Sequence, residues 1–282
     1  MSGVHGGGIP VGLSTASVFP EPPAAAFAAA AELGYDGVEL MVGLDRTSQR
    51  VDEIAELSRR HRVPVLAVHA PCLLITQRVW GSDPWGKLER SAAAAAQLGA
   101  EAVIVHPPFA WQPSYARTFA AGVRGIRDRT GIRLCVENMF PISVAGVSMS
   151  SYRPGWRVEG DGRPLYDDIT LDISHAASSA SDVLAMQADI GAALRHVHLG
   201  DGVADPSGRP TRDAHLAPGA GTQPCAEVLR RLASGSFPGA VVLEVNTRSA
   251  SSAARREALA ASLAFARRHL ASSGPRPGDD PG

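Results

Sequence analysis

Short apolar segments that end in an acidic or imidazole residue recur along this chain. Residues 195–201 show the pattern most fully. Val197 and Leu199 face one side of a predicted strand, and His196 and His198 face the other, because successive side chains alternate between faces. Similar segments, with Val, Leu or Ile beside a final Glu, His or Asp, lie at residues 37–40, 66–69, 103–106, 134–138, 170–172 and 242–244. The pattern predicts buried strands whose polar ends meet at one edge of a sheet.

Alanine-rich or amphipathic segments separate these strands and predict helices. Strands are predicted at residues 9–17, 36–42, 64–69, 102–106, 133–138, 169–173, 195–201 and 240–245. Helices are predicted at residues 21–33, 49–61, 84–98, 114–129, within 178–194, 224–233 and 250–270. Gly34 and Gly99 follow two of the helices and are typical helix stops. Eight strands that alternate with helices predict a parallel sheet closed into a single-domain (β/α)8 TIM barrel, an α/β fold.

One connection breaks the alternation. Residues 140–168 contain Gly, Pro, Tyr and Trp but no helical period, so the fifth helix is missing or displaced. A connection of this length is functional or disordered in most compact domains, and its aromatic residues favour an active-site lid or substrate wall. We predict a flexible N-terminus at residues 1–8, a barrel at residues 9–271 and a polar, disordered tail at residues 272–282.

Composition narrows the class of protein. The 282 residues suit one barrel, and the formal net charge of -1 argues against a dedicated nucleic-acid binder, without excluding local basic patches. The three cysteines have no CxxC spacing, and the chain has neither an 18-residue apolar run nor an apolar signal segment. We therefore expect a cytoplasmic protein with no membrane partner, acting on a small molecule. A homo-oligomer is compatible with the sequence.

Acidic and imidazole residues gather where a TIM barrel carries its active site, at the carboxyl ends of the strands. The candidates are Glu39, His69, His106, Glu137, Asp172, His175, His198, Asp213, His215 and Glu244. Clustered carboxylates repel one another, and no Lys or Arg lies at these strand ends, since Arg133 and Arg195 lie at the opposite mouth. A divalent cation is the simplest source of neutralising charge, and mixed imidazole and carboxylate ligands favour zinc, manganese, iron or cobalt over magnesium or calcium.

Each of these residues also has a simpler interpretation. A single His or Glu at a strand end is most often an ordinary hydrogen-bonding group, but coincidence at four strand ends is improbable. His196 lies one layer deeper and is expected to be a core or supporting residue, and Glu39 is a metal ligand, a supporting partner or a substrate contact. Asn138 and Asp201 are further candidates for substrate or supporting contacts. Trp111 and Trp156 fall in loops at the predicted mouth, where they either line a ligand pocket or pack within their loops.

Several motifs resemble those of the xylose isomerase-like TIM barrels, which join sugar isomerases and epimerases with apurinic endonucleases of the endonuclease IV type. The resemblance covers about residues 10–270. Its most specific segments are Val68-His-Ala-Pro71, Val105-His-Pro107, Val136-Glu-Asn138, Leu171-Asp-Ile-Ser-His175, His198-Leu-Gly-Asp201, Asp213-Ala-His-Leu-Ala-Pro-Gly219 and Leu243-Glu-Val245.

The resemblance implies two functions. In the isomerases and epimerases, residues that match Glu137, Asp172, His198 and Glu244 hold a metal, and the two glutamates act as acid and base. In the endonuclease IV branch, nine ligands hold three zinc ions. The matching residues here are His69, His106, Glu137, Asp172, His175, His198, Asp213, His215 and Glu244. Loops 77–86 and 140–168 do not resemble the DNA-penetrating loops of that branch.

The sequence thus predicts an isomerase or epimerase of a sugar or sugar phosphate with one to three divalent ions, zinc or manganese. In this hypothesis the metal polarises a carbonyl, Glu137 and Glu244 move protons, and the reaction passes through an enediolate. The alternative is a multi-zinc phosphodiesterase, either an apurinic endonuclease or a hydrolase of small phosphoesters. A metal-bearing sensor without catalysis is a third class.

Overall fold

The computed structural model describes residues 8–140, 142–144, 147–149, 152 and 164–271. Three features of the sequence analysis lie outside the described residues. They are the predicted tail at residues 272–282, the predicted flexible N-terminus except Gly8, and Trp156.

Eight parallel strands of the described chain close into a barrel with helices outside it. The ten described strands are β1 (Val11–Ser14), β2 (Gly37–Met41), β3 (Val65–His69), β4 (Ala102–Val105), β5 (Arg133–Glu137), β6 (Ile142–Val144), β7 (Val147–Met149), β8 (Ile169–Asp172), β9 (Leu194–Leu199) and β10 (Ala240–Leu243). The α-helices are α1 (Pro23–Leu33), α2 (Val51–His61), α3 (Pro84–Leu98), α4 (Pro113–Thr130), α5 (Ile173–Ser178), α6 (Val183–Ile190), α7 (Cys225–Ser234) and α8 (Ser252–Leu270). Around the barrel the order is β1-β10-β9-β8-β5-β4-β3-β2. The predicted TIM barrel is confirmed.

The connection between β5 and β8 is the predicted irregularity. Its described residues include the short antiparallel hairpin β6–β7, in which Ile142 pairs with Met149, and they contain no helix. The missing fifth helix is therefore confirmed for the part of the connection that the structure describes.

One local prediction needs correction. Strand β8 ends at Asp172 rather than Ile173, because the Asp172 carboxylate accepts the N–H of His175 (2.7 Å) and caps a short helix, α5, that the sequence pattern did not predict. The helix predicted within residues 178–194 is α6, which begins after its own cap, Asp182. Gly34 and Gly99 end α1 and α3 with positive φ angles of 83° and 71°, as predicted.

Alternation along the strands separates an apolar layer from a polar interior. Val136 packs in the layer between strands and helices, while its neighbour Cys135 joins a small apolar cluster inside the barrel with Ala67 and Ile104. Glu137 follows Cys135 by two residues and so faces the same interior, nearer the carboxyl end. The barrel interior is thus apolar in its deeper part and lined by ionisable side chains near the carboxyl ends of the strands. None of the helices among the described residues is long and apolar enough to cross a membrane.

Candidate metal centre

Three carboxylates meet one nitrogen at the carboxyl end of the barrel. The Nδ1 atom of His198 lies 2.9 Å from Oε1 of Glu137, 3.3 Å from Oε2 of Glu244 and 3.4 Å from Oδ2 of Asp172. His198 lies in β9, Glu137 in β5 and Asp172 in β8, and Glu244 directly follows β10. Possible ligand atoms of Glu137, Asp172 and His198 all lie within 4.8 Å of one another. Glu244 lies just outside that compact group, and its side chain is the most exposed of the four, at 14%.

Two further groups flank this centre. On one side, Oε2 of Glu137 faces Nε2 of His106 (3.1 Å) and Nε2 of His69 (3.4 Å). On the other side, Oδ2 of Asp213 faces Nε2 of His215 (2.9 Å) and Nε2 of His175 (3.6 Å). The structure therefore brings together all nine residues predicted as ligands.

Backbone carbonyls determine which ring nitrogen faces the carboxylates in three of these histidines. The Nδ1 contacts are His69 with the Ala70 carbonyl (3.1 Å), His175 with the Asn138 carbonyl (2.9 Å) and His215 with the Glu244 carbonyl (3.1 Å). A carbonyl oxygen can only accept, so Nδ1 must carry the hydrogen, and a neutral ring then presents the lone pair of Nε2. A lone pair aimed at a carboxylate is repulsive unless a proton or a cation lies between them. This is the arrangement that holds metal-ligating histidines.

The carboxylates of the centre favour positive charge on the neighbouring histidines. Burial disfavours the charged form of His175, but the carboxylates of Asp172 and Glu137 outweigh burial and raise its pKa to about 9. The pKa of His198 also rises well above its usual range, because Glu39, Glu244 and Glu137 together overcome its burial. Both rings therefore lie where the surrounding carboxylates favour positive charge.

His106 behaves differently. Burial lowers its pKa to about 4 despite its contact with Glu137, so this ring stays neutral at pH 7. A neutral imidazole is the form that binds metals.

Two carboxylate oxygens at the centre lack hydrogen-bond partners among the described residues. They are Oε2 of Glu137 and Oδ2 of Asp172, and both are buried. No Lys or Arg of the described chain pairs with either carboxylate. The two arginines of the opposite mouth have their own partners, since Arg195 pairs with Asp168 (3.2 Å) and Arg133 with Glu101 (3.3 Å). Buried carboxylates that converge with imidazoles fit a divalent transition metal.

Glu39 lies behind His198 rather than at the centre. Its carboxylate oxygens lie 3.1 and 3.3 Å from Nε2 of His198, and Oε2 lies 2.8 Å from Nε2 of His196. Ligand atoms of these three residues also lie within 4.8 Å of one another. We nevertheless assign Glu39 a supporting role, because Nε2–H of His198 donates to it and thereby leaves Nδ1 free to face the three carboxylates.

Asn138 joins the ends of β5 and β8. Its side-chain amide donates to the carbonyl of Asp172 (2.9 Å) and accepts from the N–H of Asp172 (2.6 Å). Both polar atoms of the side chain are thus used, so Asn138 holds Asp172 in place. Trp111 is 52% exposed and stacks on Phe109 at 4.5 Å between ring centroids, at the edge of a cavity that also contains His106.

Ser174 is a supporting residue that the sequence analysis did not identify. Its hydroxyl donates to Oδ1 of Asp213 (2.6 Å) and accepts from the N–H of His215 (3.0 Å), so it positions two of the predicted ligands. Its position between Asp172 and His175, within the motif of residues 171–175, could have identified it as a candidate.

Asp201 organises the loop that follows β9. One carboxylate oxygen accepts the N–H groups of Gly202 and Gln223, and the other accepts those of Gly219 and Gly221, at 2.8 to 3.1 Å. This buried carboxylate supports the loop that carries Asp213 and His215.

We expect Asp201→Asn to lower the free energy of unfolding by about 2–4 kcal/mol. In either amide orientation, the NH₂ group would face two backbone donors and lose both hydrogen bonds. Urea denaturation measures the change. Asp189→Asn, at an exposed helical site, is the matched control and should stay within about 0.5 kcal/mol of wild type. Equal stability of the two variants would contradict the role assigned to Asp201.

Known proteins resemble this chain over nearly its whole length. The chain is 51% identical over 279 residues to the uncharacterized protein Rv0498 of Mycobacterium tuberculosis (strain ATCC 25618 / H37Rv), covering 93% of this chain and 98% of that protein.

Three solved structures share the fold at lower identity. A D-tagatose 3-epimerase-like protein has a TM-score of 0.66 and 22% identity, over 93% of this chain and 100% of that one. The IolI protein, whose crystal structure holds a zinc atom, has a TM-score of 0.69 and 16% identity, over 93% and 98%. A family 2 AP endonuclease from Brucella melitensis has a TM-score of 0.67 and 19% identity, over 91% and 99%. A family model described as xylose isomerase-like TIM barrel matches residues 27–269, and the chain belongs to that family.

Proposed function

We propose that this protein is a divalent-metal-dependent isomerase or epimerase of a small sugar or sugar phosphate. The observation that carries the proposal is the pair Glu137 and Glu244, whose carboxylates reach the same Nδ1 atom of His198 from strands that are not neighbours in the barrel. An epimerase that removes a proton from one face of a carbon and returns one to the opposite face can use two such groups around that carbon.

The environments of these two glutamates differ. Burial would raise the pKa of Glu137, but His198 and His175 outweigh it and hold that pKa well below the usual range. Burial raises the pKa of Glu244 above its ordinary value, although His198 and His215 oppose the rise. Two carboxyl groups whose pKa values are pushed apart suit the roles of base and acid. Glu137 would then accept the proton alpha to the carbonyl, and Glu244 would donate one to the enediolate.

Glu137, Asp172, His198 and Glu244 would hold the cation. When bound, it supplies a Lewis acid for the substrate oxygens. Glu39 keeps His198 in the required tautomer, and Asn138 fixes Asp172. The names of structural neighbours such as the D-tagatose 3-epimerase-like protein support a sugar as substrate.

Aromatic rings beside the centre also favour a small substrate. Phe109 stacks between Trp111 and Tyr152, with centroid distances of 4.5 Å to each, and Tyr152 contacts His106 edge-on at 5.9 Å. Such a wall is typical of a pocket for a small ligand.

Solvent-deuterium exchange tests the proposal. We expect the metal-loaded protein to incorporate deuterium from D₂O at the carbon next to the carbonyl of a ketose, aldose or sugar phosphate that it turns over, as measured by NMR or mass spectrometry. Chelation should abolish the exchange, and re-addition of zinc or manganese should restore it. Absence of exchange across such a substrate panel, in protein shown to be metal-loaded, would contradict the proposal.

A second candidate is a multi-zinc phosphodiesterase. The observation that favours it is the pair of flanking groups, since His69, His106, His175, Asp213 and His215 exceed what one ion requires. Three zinc ions per chain together with cleavage of an abasic-site duplex would promote this function above the isomerase.

A further inference from the structure

A cavity of about 370 Å³ adjoins the candidate metal centre between the loops that follow β3 and β4. We call it the β3–β4 cavity, and we define it by Cys72, Arg78, Lys87, His106, Trp111 and Gln112, which are among its lining residues. His106 belongs to both sites, because its Nε2 faces Glu137 at 3.1 Å while the ring also lines the cavity. A ligand that occupies both sites would have to pass this ring.

The charge of the cavity is opposite to that of the centre. Lys87 and Arg78 line it, and no Asp or Glu occurs among the described residues that do so. The metal centre, by contrast, is rich in carboxylates. The cavity therefore offers positive charge to a part of the ligand that the centre would repel.

Lys87 is a buried cation that has no anionic partner within the described part of the chain. It is 7% exposed, and its Nζ donates to the carbonyls of Thr76 (3.0 Å) and Pro71 (3.4 Å). An ammonium group has three N–H bonds, so one remains after these two contacts. Neutral carbonyls satisfy the hydrogen bonds but do not cancel the charge, and an unpaired buried charge is costly.

Neutral donors accompany the two cations. Nδ1 of His106 is buried and has no hydrogen-bond partner among the residues that the structure describes, and a ring that used Nε2 as a ligand would carry its hydrogen on Nδ1. The side-chain oxygen of Gln112 already accepts the N–H of Phe109 (3.1 Å), which leaves its NH₂ group as a donor. Cations and N–H donors without carboxylates are the features of an oxyanion site.

We propose that the β3–β4 cavity binds the phosphate group of a phosphorylated substrate whose carbonyl end lies at the metal centre. The proposal rests on the proposed function, of which it specifies the substrate class. Lys87 provides the buried charge, Arg78 a second cation at the rim, and His106 marks the boundary between the two sites. The simpler alternative is that Lys87 only ties the loop between β3 and α3 to its helix.

Calorimetric titration with inorganic phosphate distinguishes these two roles. We expect metal-loaded wild-type protein to bind phosphate and Lys87→Met to bind it at least about tenfold more weakly, because a charge-assisted hydrogen bond is lost. Arg90→Met is the matched control: Arg90 is an exposed cation of the same helix, lies over the Trp80 ring outside the cavity lining, and should not matter. Equal affinity of wild type and Lys87→Met, or no binding by wild type, would overturn the proposal.

A labelling experiment on the wild-type protein gives the same information without a variant. Lys87 is the only lysine of the chain, so reductive methylation followed by peptide mass spectrometry reports on one side chain and on the α-amino group as internal reference. Phosphate should slow methylation of Lys87 several-fold relative to chloride at matched ionic strength, with the α-amino group unaffected. Equal rates in the two salts would overturn the proposal.

Neither measurement involves turnover. Phosphate binding can therefore be present when the deuterium-exchange test fails. Conversely, exchange with an unphosphorylated sugar can persist when phosphate does not bind, so failure of the subsite and failure of the proposed function give different results.

Discussion

Replacement of Glu244 with Gln is expected to lower the rate of solvent-deuterium exchange into substrate by about 10²–10⁴-fold. The amide keeps the shape of the side chain but cannot donate and accept a proton in turn. Glu244 is the most exposed of the four central residues, so its carboxyl group is the one that a substrate can reach most easily, and burial raises its pKa above the ordinary value.

Metal content is measured on the same Glu244→Gln sample, so that loss of proton transfer can be separated from loss of the cation. Glu257→Gln, at an exposed position of α8, is the matched control and should exchange at the wild-type rate. A Glu244→Gln protein that retains its metal and exchanges as fast as wild type would contradict the acid or base role.

Replacement of His198 with Ala is expected to abolish metal binding and to lower the free energy of unfolding of the metal-free chain by about 3–5 kcal/mol. The imidazole lies between carboxylates on both sides, with Nδ1 2.9 Å from Glu137 and Nε2 3.1 Å from Glu39. Its removal leaves both carboxylates buried without this partner. Elemental analysis and urea denaturation measure the two effects.

His61→Ala is the control for this variant, because His61 is a partly exposed residue at the end of α2. It should change the stability by less than about 1 kcal/mol and leave the metal content unaltered. If His198→Ala binds metal like wild type, His198 is not the residue around which the centre is built.

The barrel was predictable because its strands have a simple composition. A run of Val, Leu or Ile that ends in an ionisable residue, as in residues 134–138, predicts a buried strand. The ionisable residue also marks the carboxyl end of that strand, where the candidate site lies. Glycine stops such as Gly34 and Gly99 depend only on backbone conformation and were predictable for the same reason. These features are local, so a single sequence contains them.

What could not be predicted depends on closure of the barrel. Glu39 and His198 are 159 positions apart, and their contact exists only because β2 and β9 face each other across the interior. The sequence alone therefore did not decide whether Glu39 is a metal ligand, a supporting partner or a substrate contact. Asp172 was recognised as a strand end, but its second function as the cap of α5 requires the angle at which the chain leaves the barrel.

Lys87 illustrates a different limit. It is the only lysine among the 27 lysine and arginine residues, and it lies in none of the motifs that end the strands. Its burial arises from contacts with the backbone carbonyls of Pro71 and Thr76, and no side-chain pattern encodes such contacts. The cavity beside it exists only because the loops after β3 and β4 lie next to each other in the folded chain.

The metal content of protein purified without added metal tests most directly whether these side chains gather around a cation. We predict at least one equivalent of zinc, manganese, iron or cobalt per chain, with a loss of thermal stability when a chelator removes it. A chain that is purified without metal, and that gains neither bound ion nor stability when any of the four is added, would contradict the centre described above.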